Sequence, residues 1–418
     1  MLGLQVTAPQ FPGIGNSLPV GILFILHIAV AEFSVGAITL ATIMEWRSVR
    51  KRDARAARYA RAAANSYYLV FSLGATLAVF AVVLLFGLWG NEFGQLMNIL
   101  LPLIAFAFTL FLVITPILVI YRNSFDKMQP RSHALLGTLL AVLQSMFVVA
   151  IVGLDAYLIT PFHGGFLDVA LNAAYFPLLL HRLIGNVSWT ALFFAAYAAV
   201  RLRTSAQEEE RGFQAWAARL NLRIGLLTAL AMPIDGFVMV LVLQNYQHGF
   251  FENLVAGQNA WMMVLQETFL AIVLIGGNVA LSAERRWAAS QRSTDSLGLA
   301  AIALSLAGMV LATLPSSVLP ASAEIVRFIG LGIAIVVTGI HLAVRWRHES
   351  ELRRPTDGIA PALRLGRRAL VVVGAFALLT SLLMGVIKES ARGNYGIYGE
   401  LTQAEAHQNF NPPGSLYP

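Results

Sequence analysis

The chain has 418 residues, of which 57% are hydrophobic and only 12% are charged, whereas about 25% of the residues in a typical soluble domain are charged. This composition predicts a membrane protein with several spanning helices. The absence of cysteine excludes disulfides, thiolate-ligated iron–sulfur clusters and haem attached through a C-x-x-C-H motif. The net charge of +7 reports topology rather than nucleic-acid binding, because Arg and Lys collect in the cytoplasmic loops of membrane proteins.

Ten apolar runs have about the 20 residues that cross the hydrocarbon core of a bilayer. They lie at 18–45, 67–89, 96–121, 135–159, 175–200, 224–243, 261–283, 296–315, 323–344 and 369–387. The first seventeen residues lack the basic start and the small-residue cleavage site of a removable signal peptide. The sequence therefore predicts an all-α transmembrane bundle of about ten spans.

The connections between these runs differ sharply in charge. Those after runs 1, 3, 5, 7 and 9 hold 25 of the 29 Lys and Arg residues, and the opposite connections hold none. The positive-inside rule then predicts both termini on the extracytoplasmic side. We expect residues 1–388 to form the bundle and 389–418 to form an extracytoplasmic tail. The tail is polar and interrupted by Pro and Gly, which is typical of disorder; packing on an outer surface is the alternative.

Several ionisable residues lie inside the predicted spans, starting with His27 and Glu32 in the first. Such a group costs roughly 2.5–3.5 kcal/mol unless it faces a partner, a cavity or a cofactor, so each is a candidate functional residue. Most of them lie toward the outer surface in the predicted topology. His341 is the exception, and we expect it to snorkel at the inner interface. The remaining histidines fall in predicted connections or in the tail, where one imidazole indicates little: His133, His163, His248, His348 and His407.

A haem in a helical bundle needs one or two axial ligands, usually His or Met, that point inward from different helices at one depth. His27 and His181 meet the depth condition. Arg182, Arg327 and Arg392 are candidates to face the haem propionates. The alternative is that each His is a polar core residue that hydrogen-bonds a neighbouring helix. Two histidines at one depth, beside arginines without an obvious partner in the sequence, favour haem.

Four intramembrane acids allow two interpretations. They are Glu32, Asp155, Asp235 and Glu267. One interpretation is a proton path, since chains of such acids form proton relays. The other is ion pairing with Arg182, Arg327 or Lys388. We favour pairing, because charges inside a membrane protein usually pair with one another.

Four stretches resemble parts of subunit I of the cytochrome bd quinol oxidases. The first helix, in which His27 precedes an IMEW ending, is similar to a haem-ligating helix of that family. The stretch LLLHRLIGNVSWTALFF resembles its second His helix, and EIVRFIG resembles the start of a helix that carries a haem-associated Arg. GVIKESARGNYGIYGEL is similar to a stretch with a haem-ligand Glu and an Arg. The resemblance implies His27, His181 and Glu389 as ligands of haem iron, with Arg327 and Arg392 beside haem.

The sequence also departs from that family at defined places. Leu100 and Phe108 stand in the third run, where the family has two buried glutamates that serve the oxygen-reducing haem. Ile329 stands where a Met completes the low-spin haem site, and the long quinol-binding loop after the sixth run is absent. These departures argue against haem d and against oxygen reduction.

The resemblance implies a subunit of a respiratory complex in the bacterial cytoplasmic membrane, with one or more b-type haems and quinol as substrate. It would exchange electrons between quinol and a partner redox centre, such as an extracytoplasmic cytochrome, beside other membrane subunits. That would make it a subunit of a quinol-oxidising oxidoreductase, with no nucleic-acid partner. Two alternatives remain open. One is an ion or solute transporter that uses Asp155, Asp235, Glu267 and Arg327, and the other is a haem-free scaffold subunit.

Overall fold

The structure, a computed structural model, describes residues 11–255, 257–288, 295–314, 325–347 and 360–407. Helices dominate these residues. In chain order they are α1 (Ser17–Lys51), α2 (Ala54–Leu88), α3 (Gly90–Asn123), α4 (Pro130–Ile159), α5 (Phe166–Ala170), α6 (Tyr175–Thr204), α7 (Glu208–Tyr246), α8 (His248–Val255), α9 (Ala260–Ala288), α10 (Ser296–Ala312), α11 (Ile325–Arg347), α12 (Ala360–Ala391) and α13 (Gln403–Ala406). Two short strands, β1 (Tyr395–Ile397) and β2 (Leu401–Thr402), pair antiparallel before α13.

The predicted helical bundle is confirmed. Among the described residues, nine helices are long and apolar enough to cross a membrane. Every one of the ten predicted runs coincides with a helix, and run 296–315 is the shorter α10 of 17 residues. The side of the membrane on which the termini lie stays a prediction.

Two helices extend well beyond the apolar runs that predicted them. Helix α2 begins at Ala54 rather than at 67, and α7 begins at Glu208 rather than at 224. An apolar run marks only the part of a helix that crosses the hydrocarbon core. Residues 54–64 are rich in Ala and Arg, which have high helix propensity, so they extend the helix beyond that run. Much of the basic segment after the first run is therefore helical. Of the basic residues used to predict topology, Arg292, Arg353 and Arg354 lie outside the described residues.

The chain forms two compact units. Unit 1 comprises Met1–Asn186, Ile234–Ala260 and Gly385–Pro418, and unit 2 comprises Val187–Pro233 and Trp261–Met384. Unit 1 thus contains α1 to α5, α8, the start of α6, the ends of α7 and α12, and the tail. Unit 2 contains α10, α11, nearly all of α9 and the remaining parts of α6, α7 and α12.

The described part of the tail packs on unit 1. Ile397 and Leu401 of the hairpin are buried with Leu88, Trp89 and Leu96 from the junction of α2 and α3. The hairpin is also tied to α4, because the backbone N–H of Tyr398 donates to the carbonyl of Leu158 over 3.1 Å. This agrees with the alternative that the tail packs on a surface rather than with disorder; residues 408–418 lie outside the described part.

Candidate functional site

An arginine of unit 1 joins two acids from different helices. Arg182 on α6 donates from Nη1 to Glu32 Oε1 on α1 over 3.0 Å and from Nη2 to Asp155 Oδ2 on α4 over 2.5 Å. Lys388 on α12 adds a contact of 3.1 Å to Asp155 Oδ1. No side chain of the four is more than 18% exposed. Two cations and two carboxylates at close range offset the cost of burying each charge.

A second charged group lies around Arg392, at the end of α12. Arg392 donates to the Glu389 carboxylate and to the carbonyl of Gly396, and its Nη1 lies 4.0 Å from Glu92 Oε1. A Cβ at Gly396 would stand 2.7 Å from Glu92 Oε2, so the hairpin needs glycine to approach this carboxylate. The Glu389 side chain is 40% exposed and forms an ion pair with Arg392. If Glu389 also bound haem iron, its carboxylate would have to contact both the iron and Arg392.

The arginines that had no obvious partner in the sequence therefore have carboxylate partners, as the favoured pairing interpretation of the acids expected for Arg182. Sequence separations of 27 and 150 residues between Arg182 and its acids explain why the pairs could not be read from the sequence. Arg182 and Arg392 nevertheless each keep one unused donor. The buried Nε atoms of Arg182 and Arg392 have no hydrogen-bond partner among the described residues. Since a buried unsatisfied N–H costs about 1–3 kcal/mol, both are suited to donate to an anionic group.

His181 is held by an aspartate one helix away. Its Nδ1 lies 3.0 Å from Asp235 Oδ2, where α7 returns to unit 1. A carboxylate accepts, so Nδ1 donates, and in the neutral imidazole Nε2 then keeps its lone pair. This carboxylate–imidazole pair is the arrangement that orients metal-ligating histidines and raises their basicity. Asp235 was expected to pair with a cation or serve in a proton path, and in the structure it orients His181.

His27 makes the same kind of contact with a backbone acceptor. Its Nδ1 lies 3.1 Å from the carbonyl oxygen of Gly74 on α2. Because a carbonyl only accepts, the proton is again on Nδ1 and Nε2 is free to bind a metal. Each His thus hydrogen-bonds a neighbouring helix, as the core interpretation expected, and does so through the nitrogen that leaves the ligand position open.

The donor set favours a haem over a bare metal ion. Among the described residues, no group of three His, Asp or Glu side chains comes together as a metal site requires. A haem brings its iron already bound to the macrocycle, so one or two histidines would be enough to hold it. The free Nε2 atoms of His27 and His181 and the unused donors of Arg182 and Arg392 fit the iron and the propionates of such a group.

Comparison with known proteins identifies the family. Residues 18–417 match the sequence model described as cytochrome bd terminal oxidase subunit I, which is almost the whole chain. The chain belongs to the cytochrome bd oxidase subunit I family. No curated protein matches it at a significant level. Among solved structures, the bd oxidase from Geobacillus thermodenitrificans is similar over 89% of this chain and 97% of that chain, with a TM-score of 0.54. At 15% identity, this likeness supports the fold alone.

Family membership makes the chain a polytopic membrane subunit of the respiratory oxidase type, from a family that binds haem and works with other membrane subunits. Three residues at which the sequence departs from the family pattern lie in the described part of the chain. Leu100 is fully buried and has non-helical backbone angles of φ −119° and ψ 20°, at a kink two residues before Pro102. Phe108 is 62% exposed on α3, and Ile329 is 52% exposed on α11. None of the three offers a ligand or a proton-carrying group.

Arg327, the candidate of unit 2, is also paired. Its Nη2 lies 3.2 Å from Glu267 Oε2 on α9, and its Nε donates to the carbonyl of Ala312 over 3.0 Å. The favoured interpretation of the intramembrane acids, pairing with a cation, therefore agrees with the structure for Glu32, Asp155 and Glu267. Asp155 and Glu267, which could have been merely solvated, are paired instead.

His341 is not at the interface, and the prediction of a snorkelling side chain was wrong. It is fully buried in unit 2, where its Nδ1 donates to Asn278 Oδ1 over 2.8 Å and its Nε2 accepts from Arg345 Nε over 3.2 Å. Asn278 in turn donates to Ser305 and Thr338. Both nitrogens are occupied, so His341 is a connecting residue between α9 and α11.

A buried cluster of Glu45, Tyr121 and His133 near the C-terminal end of α1 was not predicted from the sequence. His133, expected in a connection, lies in the first turn of α4 and is 2% exposed. Its Nδ1 contacts the Glu45 carboxylate of α1, and its Nε2 donates to the carbonyl of Tyr121 over 2.9 Å. Tyr121 OH donates to Glu45 Oε2 over 2.7 Å. The signal was a carboxylate at the end of the first apolar run, which needs a partner close by.

Proposed function

We propose that this protein is the haem-bearing membrane subunit of a bacterial respiratory complex and exchanges electrons between quinol and a partner redox centre. The observation that carries the proposal is the state of the two histidines of unit 1. In both, an acceptor holds the Nδ1 proton and leaves Nε2 free. Family membership supplies the expectation of haem and of neighbouring membrane subunits.

The residues of unit 1 would have the following roles. His27 and His181 would hold the iron of one or more b-type haems, and Asp235 would keep His181 in the ligating tautomer. Arg182 and Arg392 would donate from Nε to propionates, while Glu32, Asp155 and Lys388 balance the buried charge. Arg327 is a further candidate for a propionate. The haem would supply one-electron transfer, and the surrounding helices would exclude water from it.

Glu389 would serve as a second type of iron ligand only by giving up part of its contact with Arg392. The missing glutamates at Leu100 and Phe108 argue against haem d, so electrons would leave for a partner rather than reduce oxygen here. We place that partner, such as a cytochrome, on the outer face, where the quinol loop is absent and the tail is added.

The deciding experiment is a dithionite-reduced minus oxidised visible spectrum of the purified protein, with haem quantified after extraction. We expect the α and Soret bands of b-type haem, and their loss from His27→Ala or His181→Ala. The matched control is His163→Ala, since that imidazole is 80% exposed and its contact among the described residues is with Glu400. A folded protein with no extractable haem, or histidine variants with the wild-type spectrum, would overturn the proposal. An added chlorin band would restore oxygen reduction.

A further inference from the structure

A cleft of about 440 Å³ opens in unit 1 where α1 ends and α4 begins. Its lining residues are Ser48, Val49, Arg52, Gln129, Pro130 and Arg131. Arg52 has a positive φ of 51°, and among the described residues it is the one non-glycine residue with that property. The cleft is separate from His27 and His181. It lies at the other end of α1 from His27, and none of its lining residues belongs to α6, which carries His181.

The cleft carries positive charge that unit 1 does not neutralise. Among the described residues, neither Arg52 nor Arg131 makes an ion pair, although both are exposed. The acids nearest in sequence are taken, because Asp53 pairs with Arg47 and Asp126 pairs with Arg61. The first turn of α4 adds its own unsatisfied N–H groups, since the Gln129 side chain makes no capping hydrogen bond. The cleft is therefore suited to an anion.

The depth of the cleft follows from Trp46, two residues before Ser48. Trp46 donates from Nε1 to Thr138 on α4 over 2.8 Å, and Arg50 stacks over its ring at 5.4 Å. A tryptophan at the end of an apolar span marks the headgroup level of a bilayer. The charge distribution predicts that this end is cytoplasmic. An anion in the cleft would thus lie among the headgroups of the cytoplasmic leaflet.

The helix ends that form the walls of the cleft are held in place by a buried cluster of side chains. Glu45, three residues before Ser48, binds His133, two residues after Arg131, and both bind Tyr121 at the end of α3. These three residues hold the ends of α1, α3 and α4 together in the core of unit 1. A site whose walls are already in place loses little entropy when a ligand binds.

We propose that this cleft binds the phosphate group of an anionic phospholipid. A guanidinium group binds phosphate oxygens with two parallel hydrogen bonds. Arg52 and Arg131 provide two guanidinium groups at this cleft. Basic pockets between spanning helices at the cytoplasmic side suit such headgroups, and the acyl chains would continue along the apolar surface of the helices. The proposal does not depend on haem. A free phosphate offers the same oxygens, so the experiment must separate the two sources.

The test measures binding of short-chain phosphatidylglycerol to the full-length protein in detergent by native mass spectrometry. Arginine near a membrane surface contributes about 1 kcal/mol to the binding of anionic lipid, so Arg52→Ala with Arg131→Ala should weaken binding about thirtyfold. Arg347→Ala is the matched control, because Arg347 is an exposed arginine on the same predicted side but lies in unit 2, outside the cleft. It should bind like the wild type.

Three further binding measurements use a lysine variant, a zwitterionic lipid and inorganic phosphate. The double variant with lysine at both positions keeps the charge without the paired hydrogen bonds, so it should bind more weakly than the wild type but more tightly than the double alanine variant, which a misfolded protein would not. Phosphatidylcholine should bind more weakly than phosphatidylglycerol. Inorganic phosphate alone should not displace the lipid at equal concentration. Equal binding by the double alanine variant and the Arg347→Ala control, or displacement by inorganic phosphate, would overturn the proposal.

Discussion

Asp235 is the residue on which the chemistry of His181 depends most directly. Its carboxylate is 7% exposed and accepts a hydrogen bond from His181 Nδ1, with 3.0 Å between Nδ1 and Oδ2. Without it, the imidazole can rotate or carry its proton on Nε2, and either change removes the lone pair from the ligand position. Outer-shell partners of this kind typically contribute a factor of 10–100 to metal affinity. We therefore expect Asp235→Ala to lower haem affinity by about that factor, measured by haem titration of protein expressed without haem.

Asp235→Asn is the informative control. The asparagine Oδ1 can still accept from Nδ1, so the tautomer is kept while the negative charge is lost. We expect this variant to bind haem almost as well as the wild type but with a higher reduction potential, because an anionic partner stabilises the oxidised iron. If Asp235→Ala binds haem as tightly as the wild type, His181 does not ligate through Nε2.

At the scale of elements, the junction between α1 and α2 shows how a loop of two residues can be ordered. Asp53 accepts from the backbone N–H groups of Arg55 and Ala56 at 3.0 and 3.1 Å, which caps α2, and it also pairs with Arg47. We expect Asp53→Ala to destabilise the first turn of α2 by about 1 kcal/mol. Faster hydrogen–deuterium exchange at residues 54–58, with unchanged exchange in α4, is the measurement.

This cap should also depend on pH. Partial burial raises the pKa of Asp53, but the hydrogen bonds from Ala56 and Arg47 outweigh it and hold the pKa below its usual value. The cap therefore stabilises fully above the unfolded pKa of about 3.9 and is lost as the pH falls through the lower, folded value. Asp53→Asn can still cap but does not titrate. The exchange rates of the two proteins at residues 54–58 should thus diverge only in acid, and equal rates at every pH would contradict the role given to Asp53.

The elements themselves could be predicted because their cause is local. Each span is encoded by some 20 consecutive apolar residues, so every predicted run became a helix. Helix ends such as Ala54 depend on capping and propensity, which hydropathy does not report. Contacts between elements were harder to predict still. Glu45 and His133 are 88 residues apart, and Arg182 and Glu32 are 150 apart, so no pattern in one segment could reveal which partner each would meet.

The candidate site shows the same division between local and distant causes. Burial cost alone singled out His27 and His181, because an imidazole inside a span demands an explanation wherever it lies. It also predicted that most acids would pair, but not that Asp235 would pair with a histidine. The partner depends on where α7 returns to unit 1, near Pro233, and that path is a property of the fold.

At the scale of the whole molecule, the ionisable groups of unit 1 collect at two levels. Arg182, Lys388 and Arg392 with their acids form the first level, in which Glu32 lies near the middle of α1, and Glu45 with His133 lies near the basic end of α1. Tyr67 OH and Gln144 Oε1 make a further buried hydrogen bond of 2.9 Å in unit 1. A haem at the first level would lie farther from the predicted cytoplasmic side than Glu45 and His133, which suits electron exchange with an outer partner.

That arrangement depends on the predicted topology, which two single substitutions can test because the chain has no cysteine. Gln207 lies in the short connection between α6 and α7, and Gln258 lies between α8 and α9; both are exposed. The positive-inside rule places residue 207 in the cytoplasm and residue 258 outside. In intact spheroplasts, we expect a membrane-impermeant maleimide to label Gln258→Cys at once and Gln207→Cys only after lysis. The reverse pattern would invert the molecule and place the candidate haem site on the cytoplasmic side, whereas labelling of both positions in intact cells would mean that α7 does not cross the membrane.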